Sequence, residues 1–298
     1  MSGSVITSLG DCYGVKWDVL RLDQLHPLAP GNKWFKLRGA LLEAERLGRN
    51  TLISFGGPWS NHLHALAAVG KGFDFNTVGF VRAGSNEPVT PCLADAKDWG
   101  MQLRFLSYSD YRRRHDAEFI ADIQADFPDA LIIPEGGASH LGVASCAEIA
   151  SLIPEGGEVY DAVFIACGTG ATLAGLVLGL AGRAPVIGVP VVKGASYLQR
   201  DIAAMLAEQG LGDSAAEKWS LDFRVSQLGF GRLNDELIEY IHHFEARTGL
   251  LLDPVYTAKL FFHVDNLCRA GEFAPGQRVL LVHTGGLQGR RGFPEVFS

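Results

Sequence analysis

Short runs of apolar and β-branched residues alternate along the chain with stretches whose apolar positions recur every three or four residues. Asp18–Leu22, Thr51–Phe55, Thr77–Val81, Gln102–Leu106, Ala130–Pro134, Ala162–Ala166, Val186–Val192 and Val279–His283 read as strands, each bounded by turn-forming residues. Between the first two, Leu37, Ala40, Leu41, Ala44 and Leu47 share one face at helical spacing, so a helix is predicted over Trp34–Gly48. The same reasoning predicts helices over Asn61–Lys71, Asp110–Phe127, Ala171–Leu180, Asn234–Thr248 and Tyr256–Arg269. Strands alternating with helices build βαβ units around open, mostly parallel, twisted sheets with helices on both faces, an α/β architecture. No linker divides the chain; the glycine pairs Gly136–Gly137 and Gly156–Gly157 are its softest points.

Composition narrows the class. The 298 residues are 47% hydrophobic and 20% charged, enough for a substantial core and for about two domains. A net charge of −7 with no basic segment argues against nucleic acid as a partner. No apolar run reaches the length of a membrane span, and the start lacks a basic, then apolar leader, so the expectation is a cytoplasmic protein without membrane contact. The 5 cysteines are widely spaced and include no CxxC pair, which fits reduced thiols rather than a disulfide framework or a zinc site.

Three glycine-bearing loops follow predicted strands: FGGPWSNH at 55–62, ACGTGAT at 166–172 and HTGGLQG at 283–289. Loops at the carboxyl ends of strands in an open α/β sheet form the ligand crevice. In the second loop Gly168, Thr169 and Gly170 lead into a helix beginning at Ala171 and Thr172, a nest of amides suited to a phosphate, although a plain glycine turn has the same spacing. Leu173 stands where GxGxxG needs its third glycine, no acidic residue ends the next strand, and no Walker A sequence occurs, so a nicotinamide dinucleotide and a nucleoside triphosphate are both disfavoured. Pyridoxal phosphate, a single phosphate carried on a reactive aldehyde, remains if a lysine lies nearby. Gly31-Asn32-Lys33 supplies one at the start of a helix, where the positive end of the macrodipole disfavours the ammonium form. Lys36, one turn on, is its competitor. His62-x-His64 has no evident third ligand, so no metal is expected. Arg112-Arg113-Arg114 reads as a solvated helix face, and Cys167 as a small buried residue.

HPLAPGNKWFKL, SFGGPWSNHLHALA, PEGGASHLG, GTGATLAGL, LDPVYTAK and VHTGG, in this order over about residues 17–289, resemble the fold-type II, tryptophan synthase beta-like pyridoxal-phosphate enzymes grouped as D-cysteine desulfhydrase and 1-aminocyclopropane-1-carboxylate (ACC) deaminase. The resemblance implies Lys33 as the Schiff-base lysine that also moves the substrate proton. It implies Asn61 at the cofactor's phenolic oxygen, with Ser60 and His62 near the substrate carboxylate. Gly168, Thr169, Gly170, Ala171 and Thr172 match the phosphate loop, Tyr256 the tyrosine against the pyridine ring, and Thr284 the hydroxyl partner of the ring nitrogen. Lys33, Ser60 and Tyr256 are the expected catalytic residues. A small amino-acid substrate, a homodimer, and two domains are also implied: a large one of residues 1–35 and 141–298, and a small one of residues 36–140.

Departures bear on the substrate. The ACC deaminases carry Glu after the DPVY tyrosine, where this chain has Thr257, and a second tyrosine where it reads Phe230. Opening a cyclopropane that has no α-hydrogen needs an extra nucleophile or base, which Phe230 is not. β-Elimination of D-cysteine to pyruvate, hydrogen sulfide and ammonia is therefore the favoured expectation. ACC deamination to 2-oxobutanoate and ammonia, or silent cofactor binding, are the alternatives. Phe35 stands where the desulfhydrases carry arginine, the start is short, and Pro58-Trp59 crowd the substrate loop, so the pocket's shape stays open.

Overall fold

The computed structural model describes residues 5–84, 89–155, 160–215, 217–225, 229 and 231–297; Phe230 and Gly156–Gly157 lie outside the described residues. Its strands segregate into two sheets. The larger has the order β1 (Ile6–Cys12), β2 (Val15–Arg21), β10 (Arg278–His283), β7 (Ala162–Cys167), β8 (Val186–Pro190), β9 (Trp219–Leu221). Only β1 runs antiparallel, joined to β2 by a hairpin. The smaller sheet, all parallel, has the order β5 (Gln102–Leu106), β4 (Asn76–Arg82), β3 (Thr51–Gly56), β6 (Ala130–Ile132).

Both sheets are covered on both faces, which is why their central strands are continuous apolar runs rather than alternating ones. Along β7, Val163, Ile165 and Cys167 enter one core while Ala162, Phe164 and Ala166 enter the other. The first core is closed by α6 (His140–Cys146), α7 (Ala171–Leu180) and α8 (Tyr197–Glu208), the second by α9 (Asp235–Thr248) and α10 (Thr257–Arg269). Helix α7 is apolar all round because β7 and β8 lie on one side and α6 and α8 on the other. On the smaller sheet, α1 (Asn32–Arg46), α2 (Asn61–Gly72) and α3 (Pro91–Asp98) cover one face, and α4 (Tyr108–Arg112) with α5 (Ala117–Asp126) the other.

The helix predicted over Asp110–Phe127 is interrupted. Asp116 takes an extended conformation (φ −77°, ψ 129°) after a single 3-10 turn at Arg113–His115, so α4 and α5 are separate. The strand β1 and the helices α3, α6 and α8 have no counterpart among the predicted elements. Helix α3 begins at the Thr90 cap and Pro91, a start signal that was present. No helix among the described residues is long and apolar enough to cross a membrane.

Phe164, 1% exposed on β7, carries far more of this core than Phe105, 52% exposed on the edge strand β5. Phe164→Ala should cost about 3–5 kcal/mol and Phe105→Ala no more than about 0.5 kcal/mol, read from the denaturant midpoint for loss of far-UV circular dichroism.

Candidate active site

The carboxyl ends of both sheets point at one cleft of about 500 Å³. Strand β3 delivers the loop Gly57–Ser60 into α2, β7 delivers Gly168–Gly170 into α7, and β10 delivers Thr284–Gly286. The first turn of α1 and the residue before α10, Tyr256, complete the wall. Lys33, Ser60, Asn61, His62, Gly168, Thr169, Gly170, Thr172, Tyr256 and Thr284 therefore all line one cavity. Ala171 does not; it is fully buried beneath the loop.

Lys33 lies inside the first turn of α1, not before it, because the helix starts at Asn32. Gly31 makes that start possible. Its φ is +93°, and a Cβ there would lie 2.1 Å from the Thr284 carbonyl oxygen, which instead accepts a hydrogen bond from the Asn32 amide at 3.2 Å. The lysine turn and the Thr284 loop are thus locked backbone to backbone. Asn32 then joins the lysine to the phosphate-type loop: its Oδ1 accepts from Lys33 Nζ at 2.7 Å and its Nδ2 donates to Thr172 Oγ1 at 2.8 Å.

Lys36 reaches the same loop from one turn further along. Its Nζ donates to the Gly136 carbonyl at 2.8 Å and to Thr169 Oγ1 at 3.2 Å. Desolvation, helped by the Lys36 charge, pulls the Lys33 amine down to about 7. Desolvation also lowers Lys36. Gly170, at φ +81°, turns the chain into α7, whose first-turn amides have no intrahelical acceptor. A Cβ at Gly170 would meet Ile202 at 2.4 Å, and one at Gly168 would meet the Tyr256 ring at 3.2 Å. Amides at a helix start, a hydroxyl at Thr169 and a buried lysine form a donor set that fits a phosphate. Beside it, an amine with its value near 7 fits an aldehyde.

Ser60 caps α2, its Oγ accepting from the Leu63 amide at 3.2 Å. Asn61 Oδ1 accepts from Gln288 Nε2 at 2.7 Å. His62 Nε2 lies 3.0 Å from Ser54 Oγ, its Nδ1 is buried without a protein partner, and burial holds the ring well below the usual imidazole range. His64 turns instead to Asp95 at 2.8 Å, so the two imidazoles do not converge. Trp59 packs over Gly292 at the cleft mouth. Thr257 does not line the cleft: it is fully buried, accepting from the Asp253 amide at 2.7 Å and donating to the Asp253 carbonyl at 3.1 Å.

Several cleft residues escaped the sequence reasoning. Asn32 and Lys36 were legible as neighbours of Lys33 but had no assigned contacts. Behind the cleft wall, buried Asp253, whose carboxyl desolvation pushes up to about 7, accepts from the Tyr256 amide at 2.6 Å just before α10. Glu135 and Gln288 lie inside quoted motifs but had no assigned role. Arg114 belongs to the run read as a solvated helix face and instead turns into the cleft to pair with Glu135, and Arg82 and Tyr197 come from a strand end and a helix that no motif marked.

A paired α/β fold whose strand ends enclose an amine-bearing lysine and a helix-start anion cradle is the framework of a cofactor-dependent enzyme acting through an aldehyde. The family model for pyridoxal-phosphate dependent enzymes matches residues 6–285, and the chain belongs to that family, with pyridoxal phosphate as its cofactor. An ACC deaminase of Burkholderia vietnamiensis is 30% identical, the match covering 90% of this chain and 85% of that one. A D-cysteine desulfhydrase of Yersinia enterocolitica is 28% identical over 94% of this chain and 89% of its own. Among solved structures, an ACC deaminase homologue superposes with a TM-score of 0.82 at 26% identity, covering 97% of this chain and 91% of that one.

The Gly31 contact yields a test. Gly194, at φ +71°, has open space around its Cα, whereas Gly31 meets Thr284. Both Gly→Ala variants place a side chain at positive φ, and Gly31, at ψ −164°, adds a backbone region essentially confined to glycine to the Thr284 clash. Gly31→Ala should lower the thermal midpoint several degrees more than Gly194→Ala, measured by differential scanning calorimetry.

Proposed function

We propose that the chain is a β-eliminating, deaminating lyase of small amino acids, with D-cysteine as the favoured substrate and pyruvate, hydrogen sulfide and ammonia as products. The observation that carries this reading is a depressed Lys33 amine and a hydroxyl, Thr284, lining the same cleft, while Thr257, where the ACC deaminases carry Glu, is buried beneath the cleft and bonded to the Asp253 backbone. A hydroxyl holds a proton on a pyridine nitrogen weakly, which moderates the electron sink and favours elimination over transamination.

Bound pyridoxal phosphate supplies the electron sink that acidifies the Cα–H of an amino acid. The loop Gly168–Thr172 and Lys36 would hold its phosphate, the Tyr256 ring would pack against its pyridine face, Asn61 would reach its phenolic oxygen, and Thr284 its ring nitrogen. The amides at the start of α2, from Ser60 to His62, would orient the substrate carboxylate. Lys33 Nζ takes the Cα proton, the Cβ–S bond breaks with its electron pair leaving on sulfur, and the three-carbon enamine takes up water to give pyruvate and ammonia. In the same reading, residues 36–140 form a unit that closes on the unit of residues 1–35 and 141–298 and excludes water from the cleft. The protein would act as a cytoplasmic homodimer.

A second reading, ACC deamination, is favoured by the 30% identical Burkholderia relative of that name. Product analysis separates the two: the account expects pyruvate and sulfide from D-cysteine in excess of 2-oxobutanoate from ACC, and 2-oxobutanoate alone would overturn it.

Two outcomes test Lys33. Lys33→Ala should abolish the visible absorbance of the covalently held cofactor, while Lys36→Ala should weaken cofactor affinity and keep that band. A lysine lowered to about 7 is half neutral at that pH and almost wholly neutral from about one pH unit above it. Covalent uptake of pyridoxal phosphate by the stripped protein should accordingly rise through a midpoint near pH 7 and level off above about pH 8, whereas an ordinary lysine near 10.5 would keep gaining into the alkaline range.

A further inference from the structure

The cleft is lined by more positive charge than the proposed chemistry uses. Its basic side chains are Lys33, Lys36, Arg82 and Arg114, against one carboxylate, Glu135, among the described residues. Lys36 faces the phosphate-type loop and Lys33 is the reacting amine. Arg114 is neutralised, its Nε donating to Glu135 Oε2 at 2.6 Å. The other Glu135 oxygen accepts from the Tyr111 hydroxyl at 2.7 Å, so both oxygens of that carboxylate are engaged by groups other than Arg82. Arg82 is left over.

Its position is defined. Arg82 ends β4, the strand beside β3, and both strands open onto the cleft. The guanidinium lies 5.9 Å from the Tyr108 ring centre and 5.8 Å from that of Tyr111, so two aromatic rings hold the group in place. It leans over the substrate loop: a Cβ at Gly57 would sit 3.4 Å from its terminal nitrogen. No described residue forms an ion pair or hydrogen bond with it. Among the described residues, a planar five-donor fork thus stands without a counter-ion beside the loop that leads into Ser60 and Asn61.

Resting on the elimination reading above, we infer that Arg82 recognises a second negative charge on the substrate, so that alongside D-cysteine the site takes amino acids whose β-substituent is anionic: a phosphate as leaving group, or a carboxylate as a bound ligand that does not eliminate. The start of α2 would take the α-carboxylate, and the fork beside Gly57, next to that start, would then meet the β-substituent. A guanidinium matches either anion through paired hydrogen bonds. With a phosphorylated substrate the chemistry balances without any co-reactant but water. The Cα–H bond breaks with its proton passing to Lys33, the Cβ–O bond breaks with its electron pair leaving on phosphate, and hydrolysis of the resulting enamine gives pyruvate and ammonia.

The test compares holoenzyme with Arg82→Gln and Arg82→Lys on racemic O-phosphoserine and racemic β-chloroalanine, which share a reaction and differ in the charge of the β-substituent. Calorimetric binding of aspartate against asparagine provides an isosteric pair that needs no turnover. Arg82→Gln should lower the phosphoserine-to-chloroalanine ratio of kcat/KM, and the preference for aspartate over asparagine, by about ten-fold or more. Arg82→Lys, which keeps the charge and loses the fork, should fall between. A drop confined to the phosphoserine ratio narrows the class to phosphate. Ratios unchanged in Arg82→Gln overturn the inference, including the case in which both substrates lose equally, which would place the guanidinium on the α-carboxylate. If holoenzyme eliminates from neither substrate, the elimination reading fails, and the aspartate preference still decides Arg82.

Discussion

Two lysines one helical turn apart in a desolvated cleft impose the constraint around which the site is arranged. Both ammonium groups lose hydration there and each repels the other, so the pair is stable only if one sheds its proton or an anion arrives. The protein breaks the symmetry by contact. Lys36 is given two oxygen acceptors, the Gly136 carbonyl and the Thr169 hydroxyl, which suit a retained proton. Lys33 has the Asn32 amide oxygen as its hydrogen-bond acceptor among the described residues, which suits the neutral amine of the proposed reaction. The charge of Lys36, in turn, is what a phosphate on the adjacent loop would neutralise. One electrostatic conflict therefore supplies both a nucleophile and an anion site.

The backbone makes this arrangement rigid. The parallel sheets aim their carboxyl ends at the same volume, and the Gly31–Thr284 contact ties the lysine turn of α1 to the end of β10. Asn32 ties that turn to α7. Asp253 and Thr257 spend their polar groups on one another and on the start of α10, which fixes Tyr256 over Gly168. These polar groups are buried and satisfied, so small shifts in any one loop are resisted by the others.

Most of the architecture was legible in the sequence because fully buried parallel strands are short apolar runs that glycine and polar residues punctuate. β7, β3 and α7 fall where their patterns place them. β1 was not legible: its residues ITSLGDC alternate weakly, and it is an edge strand recruited by the β2 hairpin. The break at Asp116 was hidden because the apolar spacing continues through it while the chain there spends one turn in 3-10 form. At the site, the motif residues were readable because each belongs to a strand–loop–helix junction. The roles of Arg82, Arg114 and Glu135 were not, since their meeting depends on how β4, α4 and the segment after β6 are juxtaposed, and no local pattern encodes that.

The central claim is that Lys33, and not its buried neighbour Lys36, is the amine that reacts with the cofactor. Borohydride reduction of the holoenzyme followed by peptide mass mapping tests it most directly. The account predicts a pyridoxyl adduct on Lys33 with Lys36 unmodified; an adduct on Lys36 with Lys33 unmodified would contradict it.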